Sequence, residues 1–185
     1  MLIRRVLGLL PFTMLLPCTV GFLNRREWDT VVYFSEQGIK KSLASDDKLA
    51  KWYAGQFAGY ATKALLNKDD KSEGKLILDA LGEEFFGIDV SQISAETTAN
   101  LSQIAYGLKD LARALEYMMA SVNIEPENAW YNYMCGWCLA AQKNDLLALP
   151  YLDKAVLLDP IYKERIKTDV LLSQFNRIRN KFDQQ

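Results

Sequence analysis

The side chains best suited to chemistry are two cysteines in the segment Cys135-Gly136-Trp137-Cys138. Two thiols at this spacing can exchange with a disulfide when the first is exposed at a helix N-terminus, where the dipole lowers its pKa. The apolar periodicity around them instead places both in the middle of a predicted helix. We therefore expect two buried, small apolar side chains, with a thiol redox helper as the alternative.

The rest of the composition argues against catalysis and against a bound cofactor. The chain has no histidine, which removes the commonest general base and the commonest metal ligand. Two cysteines without histidine or further thiols cannot complete a zinc site. The acidic pairs Glu83-Glu84 and Asp69-Asp70 have no nucleophile or glycine-rich phosphate loop beside them. We expect a protein that is not an enzyme and holds no metal and no cofactor.

The charge balance gives no sign of a polyanionic partner. Twenty-two basic side chains nearly cancel 23 acidic ones, so no overall field gathers nucleic acid around the protein. Half of the 185 residues are hydrophobic, which is enough for one substantial core or a short repeat array. Nucleic acid is therefore not an expected partner.

Apolar residues recur at helical spacing from Glu27 onward, and no strand-like alternation lasts. Breaks fall at short polar clusters such as Asn67-Lys68-Asp69-Asp70. The predicted helices cover residues 26–43, 46–67, 72–85, 94–107, 110–123, 128–142, 145–158 and 161–181.

A repeat of 34 residues appears when the segment ending at Pro126 is aligned with the segment ending at Pro160. The matched positions are Ala114 with Ala148, Leu115 with Leu149, Tyr117 with Tyr151, Ile124 with Leu158, Glu125 with Asp159, and Pro126 with Pro160. This period, with two helices per unit, is the spacing of tetratricopeptide repeats.

Residues 129–160 resemble a tetratricopeptide repeat, with matches at Gly136, Ala148, Leu152, Ala155 and Pro160. Residues 95–126 are a weaker copy, in which Leu101, Ala114, Met118 and Pro126 match while Ser102 and Ser121 replace a glycine and an alanine. The resemblance implies an all-α fold of antiparallel helix pairs, stacked as a short right-handed solenoid over residues 26–185. Residues 161–182 would form a helix that caps the array.

Trp130, Tyr133 and Trp137 share one face of a predicted helix, at spacings i, i+3 and i+7. First helices line the concave groove in the family that this chain resembles, and Gln103 and Tyr106 would extend that surface. The resemblance implies a non-catalytic adaptor that binds a protein segment in an aromatic groove. A structural scaffold tethered to the membrane is a further alternative. A homodimer would cover the exposed end of a short array.

Residues 1–25 are predicted to be a signal peptide or a membrane anchor. Arg4 and Arg5 precede the apolar stretch 6–16, and small residues after Pro17 favour cleavage after Gly21. The alternatives are an uncleaved anchor that contacts the membrane through residues 6–23, lipidation at Cys18, and a buried core helix. A cleaved signal peptide, an uncleaved anchor and a lipidated Cys18 would each place the body outside the cytoplasm, in the periplasm if the source is bacterial.

Overall fold

The computed structural model describes residues 10–47, 49–68, 72–82 and 93–183. These residues contain ten α-helices and no strand. The helices are α1 Phe12–Asn24, α2 Trp28–Leu43, α3 Ala50–Leu66, α4 Gly74–Leu81, α5 Ala95–Gly107, α6 Leu111–Ile124, α7 Ala129–Ala141, α8 Asp145–Leu158, α9 Ile161–Thr168 and α10 Asn176–Asp183. Two compact units divide the chain, Met1–Lys109 and Asp110–Gln185.

The first unit is built around α3. Helices α1, α2, α4 and α5 all contact α3, and α1 and α4 also contact α2. The centre of this unit contains fully buried side chains from each of its helices, including Leu15, Phe34, Phe57, Leu65, Ile77 and Leu101. Helices α3 and α4 lie within the segments predicted at 46–67 and 72–85.

Helix α1 packs on the body of the first unit. Phe12, Leu15 and Thr19 are buried, whereas Met14 is 56% exposed and Pro17 faces solvent. The ring of Phe12 meets Tyr53 of α3 edge-on at 5.0 Å. No helix in the described ranges is both long enough and apolar enough to cross a membrane. The segment predicted as a leader or an anchor thus forms, from Phe12 onward, a helix with an inner and an outer face.

The second unit contains the clearer of the two predicted repeats. Helix α7 contacts both α6 and α8, and the matched residues Ala114, Ala148, Leu152 and Ala155 are all buried. Gly136 lies where α7 and α8 approach closely. A Cβ atom at Gly136 would be 2.7 Å from the Leu152 side chain and 3.1 Å from the Ala148 carbonyl oxygen. Both repeat prolines, Pro126 and Pro160, are exposed in the turns that follow α6 and α8.

The segment 161–182, predicted as one capping helix, is interrupted. It consists of α9, a 3-10 turn at Leu172–Gln174, and α10. Asp169 ends α9 with extended backbone (φ −70°, ψ 124°), and its Oδ1 accepts hydrogen bonds from the backbone N–H groups of Leu171 and Leu172 at 2.9 and 3.0 Å. A side-chain oxygen that satisfies these donors starts a new helical turn, so the prediction of a continuous helix was wrong.

Helix α10 lies against α8. Lys181 forms an ion pair with Asp153, and Arg177 lies 3.6 Å from Asp145. Ile178 and Phe182, on the same helix, are buried. The end of the chain thus packs on α8 as two short helices.

Candidate functional site

Helix α7 carries the aromatic residues predicted to bind a partner, and its first turn is held by a capping side chain. Oδ1 of Asn128 accepts hydrogen bonds from the backbone N–H groups of Trp130 and Tyr131 at 3.1 and 3.3 Å. The rings of Trp130 and Tyr131 meet edge-on at 5.3 Å. The cap therefore fixes the backbone of the first turn of α7, which includes Trp130.

Trp130 and Trp137 are the two members of the stripe that keep partial exposure. Seven residues separate them, which places them on the same face of α7 two turns apart. Tyr131 and Leu139 on the same helix are buried. Two tryptophans therefore contribute to the partly exposed surface of α7.

Tyr133, the middle member of the stripe, is buried, with 4% of its surface exposed. Its hydroxyl donates a hydrogen bond of 2.9 Å to Oδ2 of Asp169. Its ring lies 5.2 Å from the ring of Tyr162, and the guanidinium of Arg165 lies 5.3 Å from its centre. Tyr133 thus contacts the protein's own capping segment, and in this arrangement it presents no surface to a partner.

The environment of Tyr133 also suppresses its ionisation. Burial raises the pKa of the phenol first, and the hydrogen bond to Asp169 and the charge of that carboxylate raise it further. A hydroxyl that stays protonated remains a hydrogen-bond donor over the whole neutral range. Tyr133 can therefore donate its hydrogen bond to Asp169 of the capping segment throughout this range.

The predicted surface residues Gln103 and Tyr106 lie on α5, in the first unit. Both are exposed, and 44% of Tyr106 is accessible. They are three residues apart near the C-terminal end of the helix, so their side chains occupy neighbouring positions. They form a polar and aromatic surface of the first unit.

The two cysteines of α7 are buried, Cys135 fully and Cys138 to 5% exposure. Burial, followed by the neighbouring Cys138, raises the pKa of Cys135 to about 12, although a hydrogen bond with Tyr151 opposes the shift. Thiol exchange needs an accessible thiolate. These surroundings favour the packing role over the redox alternative. Cys18, the predicted lipidation residue, lies within α1 and is partly exposed.

Sequence reasoning missed Asp169, Tyr162 and Arg165, which surround Tyr133. One signal was available, because aspartate is a poor residue for a helix interior and a good one for a helix start. Asp169 interrupts an otherwise helical pattern just before the buried Leu172. No group of cysteine, aspartate and glutamate side chains in the described part of the chain could hold a metal ion.

Comparison with known proteins supports the fold. No protein family and no curated protein matches the sequence. A crystal structure of the MamA protein is similar with a TM-score of 0.64 at 12% identity, over 94% of this chain and 87% of that one. A second MamA crystal structure gives 0.54 at 13% identity, over 82% and 84% of the two chains.

These similarities place the chain in the class of all-α helical-repeat folds that are like tetratricopeptide repeats (TPR-like). The fold of antiparallel helix pairs predicted from the repeat is therefore confirmed.

Proposed function

We propose that the protein is a non-catalytic interaction module that binds a segment of another protein through the partly exposed face of α7 that contains Trp130 and Trp137. The observation that carries this proposal is the partial exposure of Trp130 and Trp137 on one face of a helix whose other aromatic residues are buried. Tryptophan gives large contact area at low entropic cost, and it is enriched among the residues that dominate binding energy. TPR-like folds are repeat scaffolds that present such surfaces.

The proposed surface has a rigid base. Asn128 holds the first turn of α7, and Tyr133 attaches the helix to the capping segment through Asp169. A helix that is fixed at both places loses little further backbone freedom when a partner binds. This preorganisation favours a specific protein segment over non-specific adsorption.

The test is site-specific photocross-linking in the full chain. A photoreactive phenylalanine analogue replaces Trp130 or Trp137 in two separate variants, and a third variant carries it at Leu157 as the control. Leu157 lies in the same unit, on α8, and is 83% exposed, so it reports contacts that arise from exposure alone. We expect one adduct of defined mass at position 130 or 137 that is absent at position 157.

A binding measurement then shows whether Trp130, beyond contacting the partner, contributes to the binding free energy. The cross-linked protein is identified and purified, and its affinity is measured for the wild type and for Trp130→Ala with an unchanged circular dichroism spectrum. Loss of a central anchor costs about 2 kcal/mol or more, which is at least tenfold in Kd. An unchanged Kd would mean that the tryptophans serve packing, as the scaffold alternative predicts.

The extracytoplasmic placement expected from residues 1–25 stays a prediction, and binding through α7 does not depend on it. Subcellular fractionation of a chain tagged at its C-terminus tests that placement separately.

A further inference from the structure

The turn between α1 and α2 has the backbone geometry of the turn between α7 and α8. In both, a basic residue two positions beyond the helix end has positive φ, 57° at Arg26 and 62° at Lys143. The next residue, Glu27 or Asn144, donates its backbone N–H to the carbonyl five residues earlier, at 3.1 and 2.9 Å. This closure of a helix end is the Schellman motif.

The same turn conformation occurs a third time, after α5. Lys109 has φ of 63° and again stands two residues beyond the end of the helix. Its backbone N–H bonds to the carbonyl of Tyr106 at 2.8 Å, as that of Arg26 bonds to Leu23 at 3.0 Å and that of Lys143 to Ala140 at 2.8 Å. Among the described residues, these three are the non-glycine positions with positive φ. Two of them lie in the repeats recognised from the sequence, and the third follows α1.

The first helices share one register when positions are counted back from the positive-φ residue. Eleven residues before the positive-φ residue, the side chain is buried in all three helices. Seven residues before the positive-φ residue, a buried small residue is present in all three. The residues are Leu15, Thr98 and Asn132 at the first position, and Thr19, Ser102 and Gly136 at the second. Thr19 thus occupies the place of the repeat glycine.

The second helices share a register as well. Eight residues after the positive-φ residue each helix has an aromatic side chain, and twelve residues after it a small, buried one. These residues are Phe34, Tyr117 and Tyr151 at the first position, and Gly38, Ser121 and Ala155 at the second. The segment 12–43 therefore repeats the turn, the burial pattern and the aromatic position of residues 129–158.

We infer that residues 12–43 are a further copy of the repeat, and that the apolar segment Phe12–Asn24 is its first helix in the working protein rather than a leader removed from it. The packing supports this assignment. Phe22 stacks on Phe34 of α2 with ring centres 5.4 Å apart, and Leu15 and Thr19 are fully buried. Cleavage after Gly21 would leave Phe22 but would remove Phe12, Leu15 and Thr19, which are buried in the first unit.

Both ends of α1 are attached to the body. Lys41 near the end of α2 donates a hydrogen bond from Nζ to the Leu10 carbonyl oxygen at 2.6 Å. Pro17 has no N–H to give to the Thr13 carbonyl, but both residues lie on the exposed face of the helix. The strongly apolar composition of α1 is thus compatible with a helix on a protein surface.

The first test is the mature N-terminus. The full chain carries a C-terminal tag in its source cells, and its intact mass is measured after purification from each cell fraction. We expect a chain that retains residues 12–24. A chain that begins at Phe22, or one that begins at a lipid-modified Cys18, would overturn the inference.

The second test asks whether α1 is part of the cooperative fold. The melting temperature of the purified full chain is compared between Leu15→Asp, on the buried face, and Met14→Asp, on the exposed face. We expect Leu15→Asp to lower it strongly and Met14→Asp to leave it within a few degrees. If Leu15→Asp yields no soluble protein, Leu15→Ala and Met14→Ala replace the pair.

Equal melting temperatures for the two positions would contradict the inference. The inference does not rest on partner binding, because neither test involves α7. If cross-linking at positions 130 and 137 failed, the inference about residues 12–43 would be unaffected. If the tests of α1 failed, the proposed binding through α7 would be unaffected.

Discussion

Tyr133 and Asp169 join α7 to the capping segment of the protein. The Tyr133 hydroxyl donates to Oδ2 of Asp169 at 2.9 Å, while Oδ1 of the same carboxylate accepts from the backbone at Leu171 and Leu172. One carboxylate thus ends α9, starts the following turn and anchors both to α7. The side-chain hydrogen bond between Asp169 and α7 is made by one group, the hydroxyl of the buried Tyr133.

We predict that Tyr133→Phe destabilises the protein by about 1.5–3 kcal/mol, the usual range for a hydrogen bond to a charged group. Chemical denaturation measures the change in the free energy of unfolding. Tyr60→Phe on α3 is the matched control for loss of a phenol hydroxyl. In a double-mutant cycle with Asp169→Asn, strict additivity would show that the two side chains do not interact energetically.

We predict that Gly136→Val destabilises the protein by about 2–3 kcal/mol, because a side chain there overlaps Leu152 and approaches a backbone carbonyl that cannot move away. Gly107→Ala is the control, since no atom lies within 4 Å of a Cβ built at that position in α5. We expect this control to be neutral or slightly stabilising, as for glycine to alanine at an unstrained helical site. Thermal unfolding of both variants decides the prediction, and equal stabilities would contradict it.

We predict that Lys143→Gly stabilises the protein by about 0.5–1 kcal/mol, because glycine reaches a φ of 62° without the steric cost that lysine has there. The control is Lys163→Gly within α9, where the same change costs about 1 kcal/mol of helix propensity. Denaturant midpoints report both effects, and the two variants are expected to shift in opposite directions. A loss of stability in Lys143→Gly would show that the lysine side chain has a role of its own.

We predict that Cys135 of the native protein resists thiol reagents at neutral pH and that Cys18 reacts much faster. Single-cysteine variants treated with a chromogenic disulfide give both rates. The pKa of Cys135 is raised from 9.0 to about 12 by burial first, so above pH 9 the unfolded chain loses a proton that the folded chain keeps. The stability provided by the neutral thiol is therefore complete below pH 9 and falls as the pH rises towards 12. Cys135→Ala is expected to weaken this alkaline loss, and an unchanged pH dependence would contradict the assignment.

Much of the helical pattern could be read from the sequence, because apolar periodicity and good capping residues agree over long stretches. Helix α8 has the predicted bounds 145–158, and Ser94 caps α5 as expected by accepting a hydrogen bond from the Thr97 backbone. The predicted start at Asp46 was wrong by four residues. Oδ1 of Asp47 accepts a hydrogen bond from the backbone N–H of Leu49, two residues further along the chain. Because of this local turn, α3 begins only at Ala50.

The candidate site was harder to predict than the helices. The spacing of Trp130, Tyr133 and Trp137 shows which side chains share a face, but it carries no information about what covers that face. The covering residue, Asp169, is 36 positions further along the chain. Its contact with Tyr133 depends on how the chain turns after α9, which periodicity does not report.

The three positive-φ turns bear on how such repeats diverge. Each requires a left-handed backbone at one residue, followed by a residue that starts the next helix, and arginine or lysine fills the first place despite its steric cost. Many residue types can adopt the required dihedral angles, so two repeats can lose their sequence similarity while the backbone conformation of the turn is kept. A repeat copy such as the one that we propose at residues 12–43 is therefore easier to recognise from torsion angles than from aligned residues.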